Sequence, residues 1–378
     1  MIGTNRRQPH GFKAFIPDSF PHKGLFTYSP QIIKKDANAS RLLGKLDGIT
    51  HLLPDSNFFI YMYLKKDAAA SSQIEGTKAT MMDALEAGVK IENNLPEDVD
   101  DILHYLEALS YGMNRLKQLP LSLRFICEIH HKLMASARST HFSDPGAFRK
   151  SQNWINGRSP ADAEFVPPPV DAMKSALHDF EKFIHAVDAI PPLIKTALIH
   201  AQFETIHPFL DGNGRAGRML VPFYLCQEQL LEKPVLYLSS FFKKYKKIYY
   251  QRLMDYREGQ VEKWIGFFLD GIIEIAESAI VTVQKITALR EHDIAKISTM
   301  NKTSSESAMK VLPQLFAQPL VDVKIIRKWA GFTTNAGAQG LIDRFIRAGI
   351  LEIKDRSKTY ARIYVYRKYL DIFEKDFV

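Results

Sequence analysis

Apolar side chains recur at intervals of three and four residues through most of this 378-residue chain. This spacing places them on one face of an α-helix, so it predicts helices rather than strands. The clearest runs are residues 40–53, 57–77, 80–88, 99–116, 123–136, 171–187 and 191–209, and helix returns after residue 213. Strand-like patterns are confined to 153–170 and 350–366, while residues 1–35 are expected to form an extended arm or ordered loops. The sequence therefore predicts a mainly α protein.

The composition is that of a globular protein with a large core. Hydrophobic residues make up 46% and charged residues 24% of the chain, which excludes a disordered, collagen-like or coiled-coil protein. At roughly 100–200 residues per domain, the length predicts two or three domains.

No apolar run reaches the roughly 18 residues that a membrane span requires. The most apolar stretch, residues 264–283, is interrupted by three carboxylates, which predicts a buried helix. The N-terminus lacks the apolar segment of a secretory signal. Cys127 and Cys226 are too few for a disulfide framework and are expected to pack as small hydrophobic side chains. We therefore expect a cytoplasmic protein with no membrane partner.

The C-terminal segment carries most of the basic excess. Residues 302–378 hold 14 Lys and Arg against 8 Asp and Glu, so they contribute +6 of the net charge of +8. Such a surface is typical of proteins that bind nucleic acid or an acidic partner.

The same segment predicts the order of elements in a winged-helix domain. Residues 305–316 predict a short helix, 321–353 two helices split by a Gly-Phe-Thr turn, and 350–366 two strands around a charged turn. This order matches a helix-turn-helix followed by a β-hairpin, which can bind DNA. Side chains suited to DNA contact are Asn335, Gln339, Arg344, Lys354, Arg356 and Lys358. A protein-interaction or packing role is the alternative, and we expect the segment from about residue 300 to fold by itself.

One segment, from His207 to Arg218, reads His-Pro-Phe-Leu-Asp-Gly-Asn-Gly-Arg-Ala-Gly-Arg. Gly212 and Gly214 free the backbone for tight turns and for the close approach of a ligand. Arg215 and Arg218 lie three residues apart at the start of a helix, on one face. Loop amides at a helix N-terminus, together with two arginines, predict a site for a polyanion such as a nucleoside triphosphate.

Two further side chains of this segment indicate chemistry at the anion site. Asp211, at the loop tip, can hold Mg²⁺ against phosphate oxygens. His207 would be a base beside the phosphate. A lone Asp-Gly-Asn-Gly turn or a lone histidine carries little functional meaning, whereas the joint pattern is specific.

This segment resembles the active-site motif of the Fic-domain family, HPFx(D/E)GNGRxxR, at every defined position. The resemblance implies a mainly helical Fic fold and an enzyme, a protein adenylyltransferase that moves AMP from ATP to a Ser, Thr or Tyr hydroxyl of a target protein. His207 would accept the hydroxyl proton, and Asp211 would hold Mg²⁺ on the α- and β-phosphates. The residues that would bind the phosphates are Gly212, Asn213, Gly214, Arg215 and Arg218.

Two other segments resemble features of that family. Residues 145–169 resemble the flap, a small β-hairpin that would hold an extended target segment by main-chain hydrogen bonds. Tyr249 and Tyr250 match a tyrosine pair that lies near the adenine in family members. A surface hairpin and core tyrosines are the alternative interpretations.

A third resemblance is regulatory. Residues 71–76, Ser-Ser-Gln-Ile-Glu-Gly, match the family's inhibitory motif (S/T)xxxE(G/N), whose glutamate pairs with the second arginine of the active-site motif, here Arg218. Ser71 and Glu75 are four residues apart and share a helix face, and Gly76 lets the helix stop. The resemblance implies self-inhibition by Glu75, with Ser71 hydrogen-bonded to the motif loop. A solvated glutamate at a helix end is the alternative.

The resemblance also sets the expected domains and partners. Residues 1–115 would be an N-terminal arm and helices that include the inhibitory helix, 116–297 the Fic catalytic core, and 298–378 the winged helix. Family members often dimerise, which leaves a homodimer open for this protein. Two functions follow: a self-inhibited protein adenylyltransferase that uses ATP and Mg²⁺, or a DNA-binding regulator with a nucleotide-sensing Fic core.

Overall fold

The computed structural model describes residues 2–22, 27–51, 56–89, 95–135, 144–357, 360 and 362–374. The helices are α1 (Pro30–His51), α2 (Ser56–Ile74), α3 (Met81–Val89), α4 (Val99–Arg115), α5 (Leu123–Met134), α6 (Val170–His185), α7 (Pro192–Ile206), α8 (Asn213–Gln227), α9 (Ser239–Lys244), α10 (Lys246–Arg257), α11 (Val261–Ser298), α12 (Lys302–Ala317), α13 (Val323–Ala330), α14 (Asn335–Arg347) and α15 (Arg367–Glu374). The strands are β1 (Gly3–Arg7), β2 (Lys13–Pro17), β3 (Leu320–Val321), β4 (Glu352–Ile353) and β5 (Tyr364–Val365). The protein is therefore mainly helical, as predicted.

Two compact units interleave along the chain. The first unit comprises Met1–Gly44, Asp67–Ala79 and Glu97–Ala276, and the second comprises Lys45–Lys66, Thr80–Pro96 and Glu277–Val378. The domain boundaries predicted at residues 115 and 297 stay predictions.

The first unit is built around α7. Every residue of α7 from Leu193 to Ile206 is buried, as expected for a helix in the centre of a core. Helices α6, α8 and α10 pack against it. On the far side of α8, α4 approaches closely at Gly112, where a Cβ would overlap the ring of Phe223. The core thus fixes both α7 and α8, the two helices that flank the predicted loop.

The N-terminal residues form a β-hairpin instead of the expected arm. β1 and β2 pair antiparallel across a turn in which Gly11 has a φ of 88°. β1 has the sequence Gly-Thr-Asn-Arg-Arg, and its last four residues are exposed, so it lacks the apolar alternation that predicts a strand. Phe15 in β2 donates its amide to the Val166 oxygen at 2.9 Å, which joins the hairpin to the segment before α6.

The hairpin predicted at 145–169 contains one antiparallel bridge, between Ile155 and Phe165. Asn156 and Gly157 follow with φ values of 55° and 84°, which turn the chain at once. On the other side, the Pro-Pro-Pro run after Val166 has no amide hydrogens to donate. The flap is therefore an ordered loop closed by a single bridge.

Two predicted helix ends differ from the structure. α2 ends at Ile74, and Gly76 follows in a turn with a φ of 104°. Gly88 was predicted to terminate α3, but it lies inside that helix, which continues to Val89. Residues 52 and 53 of one predicted helix, residues 358, 359 and 361 of the predicted strands, and the side chain of Lys358 lie outside the described residues.

α11 contains the apolar stretch predicted as a buried helix, and its indole, Trp264, is fully buried. Across the described ranges, no helix is long and apolar enough to cross a membrane. Cys127 on α5 and Cys226 on α8 are free thiols. Both are half-buried, so they lie at the edge of the core rather than inside it.

The second unit contains α12, α13 and α14 with a three-stranded antiparallel sheet in the order β3-β5-β4. The helices and the last two strands follow the predicted order, and β3 is an addition. This C-terminal region also contacts α3: Lys354 pairs with Glu86 at 2.6 Å. Lys66 donates to the Phe373 oxygen at 3.0 Å. The segment from residue 300 therefore shares its unit with earlier residues, and its folding by itself stays a prediction.

Candidate active site

The chain turns sharply between α7 and α8. His207 follows α7 with a left-handed backbone, φ 49° and ψ 61°, and its amide donates to the Phe203 oxygen at 2.9 Å. A left-handed conformation is uncommon outside glycine, and such residues concentrate at functional turns. The predicted loop follows and ends where α8 begins at Asn213.

Asn213 organises this loop through its side chain. Its Oδ1 accepts from the Phe209 amide and its Nδ2 donates to the Phe209 oxygen, both at 2.8 Å. Gly212 has a φ of 75°, which glycine adopts without strain. A Cβ on Gly212 would lie 2.8 Å from the sulfur of Met134. Asn213 therefore holds the loop in shape, and its contact with phosphate stays a prediction.

Arg149 and Asn153, both within residues 145–169, hold the loop that begins at His207. No motif in the sequence indicated either side chain. Arg149 donates from Nε to the His207 oxygen at 3.0 Å, and Asn153 donates to the Phe209 oxygen at 2.8 Å. Burial lowers the pKa of Arg149 to about 10, so the guanidinium stays charged at neutral pH. These bonds satisfy backbone oxygens that the turn would otherwise leave buried without partners.

His130 on α5 is a third unpredicted support. Its Nε2 lies 2.9 Å from the Asp211 oxygen, and its Nδ1 accepts from the Gly146 amide at 2.9 Å. Its ring stacks on Phe209 with a centroid separation of 3.6 Å. Burial lowers the pKa of His130 to about 4, so the ring is neutral and carries its proton on Nε2.

The loop borders a cavity of about 260 Å³, at the small end of the roughly 300–1,000 Å³ that ligand pockets occupy. The predicted residues that line it are Glu75, His207, Asp211, Gly212, Asn213, Gly214, Arg218, Tyr249 and Tyr250. Flap residues, among them Trp154 and Ile155, form another wall. The structure thus brings together most of the site residues that the sequence indicated.

An ion pair fills one end of this cavity. Glu75 Oε1 lies 2.6 Å from Nη2 of Arg218. The same guanidinium donates to the side-chain and backbone oxygens of Ser71 at 2.8 and 3.0 Å. Ser71 therefore bonds Arg218 and not the loop that it was expected to reach. Burial alone would lower the pKa of Arg218, but the charges of Glu75, Tyr249 and Glu204 raise it overall.

The Glu75 carboxylate also rests against the first turn of α8. A Cβ on Gly214 would overlap Glu75 Oε1, so glycine is what allows this close approach. The free amides and the dipole of a helix N-terminus favour an anion at that place. Glu75 therefore fills the region in which the sequence predicts phosphate.

Arg215 faces another direction. Its Nη1 lies 3.2 Å from Asp101 on α4, and its Nη2 lies 3.4 Å from the sulfur of Met134 on α5. The two motif arginines were predicted to share one face, but their side chains diverge because each meets different neighbouring helices. The role of Arg215 at the phosphates stays a prediction.

Two segments of the chain match known protein families. Residues 33–114 match the family described as Fic/DOC family N-terminal, and residues 120–225 match the Fic/DOC family. These two segments are therefore similar to Fic/DOC domains. Solved structures agree: a Fic family protein from Desulfovibrio desulfuricans has a TM-score of 0.59 at 15% identity, with 91% of this chain and 98% of that one covered. Residues 134–508 of Fic-1 from C. elegans give a TM-score of 0.52 at 17% identity, covering 67% and 73%.

Curated relatives of these Fic/DOC domains are named as nucleotidyltransferases. Protein adenylyltransferase Fic of Drosophila erecta is 25% identical over 206 residues, which are 52% of this chain and 38% of that protein. A probable protein adenylyltransferase of Aquifex aeolicus is 27% identical over 257 residues, 67% of this chain and 66% of that protein. The matched region therefore spans between about two fifths and two thirds of these relatives.

The two tyrosines of the predicted pair are buried to different degrees. Tyr249 is buried, and its hydroxyl lies 2.9 Å from Nε2 of His200, whose Nδ1 lies 2.9 Å from the Gly217 oxygen. Burial lowers the pKa of His200 to about 3, so its single proton bonds Gly217 and Nε2 accepts from Tyr249. Tyr250 is only half-buried beside it. The predicted contact of this pair with adenine stays a prediction.

Asp211 suits a magnesium ion that is held mainly by a nucleotide. Its Oδ1 accepts from the Gly212 amide at 2.6 Å, and the residue lines the cavity. Over the described ranges, no three His, Cys, Asp or Glu side chains are grouped to hold a metal. Mg²⁺ commonly uses one or two carboxylates, waters and substrate phosphates, so one carboxylate is a sufficient protein ligand here.

Side chains outside residues 71–76 fix the position of this segment in the first unit. Asp67, which is buried, accepts from the Ser239 amide at 2.9 Å and from the Tyr105 hydroxyl at 2.8 Å. At the other end, Lys246 Nζ donates to the Ile74 oxygen at 2.5 Å. A cation at a helix C-terminus is favourable to the helix dipole. The end of α2 that precedes Glu75 is therefore held at Asp67 and again at Ile74.

We expect Gly214→Ala to destabilise the protein by displacing Glu75 from Arg218. A buried charge that loses its partner costs about 1–3 kcal/mol. In a Glu75→Gly background the carboxylate nearest to the new methyl is absent, Arg218 Nη1 lies 2.9 Å from its Cβ, and the loss should be smaller. Urea unfolding of the wild type, both single variants and the double variant measures this coupling. Equal losses in the two backgrounds would contradict the contact.

Proposed function

We propose that this protein is a protein adenylyltransferase that transfers AMP from ATP to a hydroxyl side chain of a target protein and is held back by Glu75. One observation carries the proposal: the Glu75 carboxylate lies on the first turn of α8, paired with Arg218, in the cavity that His207 lines. An anion site filled by the chain's own carboxylate supports nucleotide binding and its inhibition together. The names of the curated relatives support the same reaction.

In the proposed reaction the target hydroxyl oxygen attacks the α-phosphorus of ATP. Its proton passes to His207, and the bond from the α-phosphorus to the bridging oxygen breaks, which releases pyrophosphate. Burial, followed by the charges of Arg257 and Arg149, lowers the pKa of His207 to about 3, so the imidazole is neutral and able to accept a proton. Mg²⁺ held by Asp211 would neutralise phosphate charge when bound.

The remaining residues bind and orient the substrates. The amides of the Gly212–Gly214 turn face the phosphates at the start of α8 and stabilise the charge that develops in the transition state. Arg218 binds the γ-phosphate once Glu75 leaves it, and Arg215 would contribute only after leaving Asp101. Tyr249 and Tyr250 border the adenine. The chemistry then depends on positioning, charge neutralisation and one base.

The flap holds the target segment in this proposal. Trp154 and Asn156 flank the single bridge between Ile155 and Phe165 and line the cavity. An extended peptide can add to such an edge through main-chain hydrogen bonds, which would carry its hydroxyl to His207. The target is therefore an exposed, extended segment with a Ser, Thr or Tyr.

Transfer of labelled AMP tests the proposal. The full-length Glu75→Gly variant is incubated with α-labelled ATP and Mg²⁺, and label on the protein and on added candidate targets is located by mass spectrometry. His207→Ala in the same background is the control without the base. If Glu75→Gly transfers no label to itself or to any protein of a proteome-wide search, the proposed function is wrong.

The C-terminal region supports a weak rather than a specific role in DNA binding. We propose that β3, β4, β5 and the helices among them form a winged helix. Two candidate base-reading side chains are already engaged: Asn335 accepts from Arg327 at 3.1 Å, and Gln339 donates to Asp343 at 2.8 Å. The alternative function, a DNA-binding regulator, therefore has less support. A homodimer and a cytoplasmic location stay predictions.

We expect the full-length protein to bind genomic DNA fragments weakly. Only phosphate contacts are evident, so affinity should fall steeply with salt, by roughly 10³-fold or more between 50 and 200 mM if six phosphates are contacted. Gel shifts at several salt concentrations measure it, with Arg356→Ala as a variant that should weaken binding to every sequence alike. A sequence-specific, salt-tolerant complex would favour the regulator.

A further inference from the structure

Glu204 is a buried carboxylate one turn before His207 on α7. The residue is 5% exposed, and its Oε2 lies 3.8 Å from Nδ1 of His207. Its other oxygen, Oε1, rests against α8 at Gly217, where a Cβ would lie 2.5 Å away. Glycine at that position makes room for the carboxylate. None of the steps proposed above uses Glu204, although its carboxylate lies next to the proposed base.

In the described part of the chain, Glu204 and His207 each have a buried polar atom without a hydrogen-bond partner. Among the described residues, His207 Nδ1 and Glu204 Oε1 are buried atoms without a hydrogen-bond partner. Buried polar atoms are nearly always paired, and an exception calls for a reason. A shift of less than 1 Å would bring Glu204 Oε2 within hydrogen-bond range of Nδ1. The unpaired Nδ1 therefore faces Oε2, while the unpaired Oε1 faces Gly217. The imidazole and the carboxylate are complementary, because Nδ1 can carry a proton and an ionised carboxylate can only accept one.

The surrounding charges give Glu204 a role when His207 takes up a proton. After burial itself, Arg257 on α10 and Arg149 beside the loop disfavour a charged imidazole, while the backbone of Glu204 and then Asp211 favour it less strongly. Arg257 donates to the Glu204 backbone oxygen at 3.1 Å, which leaves the carboxylate free to face the imidazole. A positive imidazole in this place therefore requires a nearby negative charge.

Other charged groups face Glu204 from the elements packed on it. Burial raises the pKa of Glu204 to about 7, with Glu75 adding to the rise and with Arg218 and then Arg257 opposing it. Tyr249 on α10 also interacts with this carboxylate. Glu204 therefore changes charge within the range in which an enzyme is assayed.

We propose that Glu204 is a positioning residue that holds the proton of His207 on Nδ1, so that Nε2 presents its lone pair to the target hydroxyl. The identity of the hydroxyl in this inference rests on the proposed function. The position of the proton on the imidazole does not. During transfer the hydroxyl proton passes to Nε2 as the oxygen–phosphorus bond forms. The imidazolium then donates its Nδ1 hydrogen to the Glu204 carboxylate, and Glu204 itself forms and breaks no covalent bond.

Two substitutions at 204 separate this role from simple packing. Glu204→Gln keeps the volume but removes the charge, and its amide can donate to Nδ1 and so favour the wrong tautomer. Glu204→Asp leaves a small gap but keeps an acceptor-only carboxylate. A packing role predicts that the Gln variant is the more active of the two. The proposed role predicts the reverse, with the Gln variant the more stable protein and the less active enzyme.

The experiment uses the full-length Glu75→Gly protein with ¹⁵N-labelled histidine. We expect His207 to carry its proton on Nδ1 in the parent and in Glu204→Asp, and on Nε2 in Glu204→Gln. We expect kcat to fall about 10²-fold in the Gln variant and about tenfold or less in the Asp variant, a part of the roughly 10²–10⁴-fold that a general base contributes. The affinity for ATP should change less than threefold in both. Gln202→Met is the control. Gln202 lies on α7 like Glu204, and the substitution removes the buried hydrogen bond that its side chain accepts from Tyr256 on α10. It should leave the tautomer unchanged.

The pH profile gives a second readout. Burial raises the pKa of Glu204 to about 7 with Glu75 adding to the rise, so the acid limb of the Glu75→Gly protein should lie below that of the wild type. On the acid side of this limb Glu204 is protonated, and kcat should fall with the ionised fraction. Glu204→Gln should lose this acid limb. The proposal is wrong if Nδ1 carries the proton equally in the Gln variant, or if Gln is more active than Asp. Should no variant transfer AMP at all, the proposed function fails, while the imidazole tautomer still decides the role of Glu204.

Discussion

Glu75→Gly should raise AMP transfer by about 100-fold, which corresponds to roughly 2.7 kcal/mol. Arg218 can serve either the carboxylate of Glu75 or the γ-phosphate of ATP. The pair is 2.6 Å apart; the arginine side chain is 2% exposed but the Glu75 side chain is 37% exposed. The hydrogen bond is therefore charge-assisted, and solvent at Glu75 weakens it. Such bonds contribute about 1.5–3 kcal/mol, the size of the expected change. The substitution also removes a negative charge that would repel the triphosphate.

Three matched variants define the cause of that activation. Glu75→Gln keeps the volume and removes the charge, so it should activate less than glycine. Ser71→Ala removes one hydrogen bond to Arg218 and should activate partially. Arg218→Ala should not activate, because it also loses the γ-phosphate contact. The measurement is incorporation of labelled AMP on the protein itself with Mg²⁺, together with calorimetry of ATP binding. Equal transfer by wild type and Glu75→Gly would reduce residues 71–76 to a chance match.

The parts of the site that were predictable are those in which the chain's own spacing sets the geometry. The turn from His207 to Gly214 is local, so its glycines and the start of α8 could be placed from the residue order. The contact between Glu75 and Arg218 joins residues that are 143 positions apart. It was predicted only because two separate patterns resembled parts of one family.

The parts that were missed depend on contacts between distant segments. Arg149, Asn153 and His130 hold the loop through backbone oxygens, and a bond to a backbone oxygen leaves no pattern in the sequence. Arg215 was expected to face phosphate because spacing gives a face of the helix but not the neighbour that the side chain meets there, which is Asp101. Glu204 did carry a signal, since it lies three residues before His207, where helical side chains meet.

His207→Ala should lower AMP transfer by roughly 10²–10⁴-fold, the contribution of a general base, while ATP binding stays within about threefold of the parent. In the proposed function the phosphates are held by the α8 amides and Arg218, and not by the imidazole of His207. The assay is run in the Glu75→Gly background so that the loss can be measured. Calorimetry of ATP binding accompanies the transfer assay.

The backbone of His207 makes the choice of a second variant important. Its φ of 49° is strained for alanine but is readily adopted by asparagine, so His207→Asn should fold with less strain. Asparagine cannot accept the hydroxyl proton, so its transfer rate should be as low as that of alanine. His178→Ala, an exposed histidine on α6, should leave both transfer and ATP binding unchanged. If His207→Asn bound ATP and transferred AMP near the parent rate, the proton would have to leave by another route, and the base assigned to this site would be wrong.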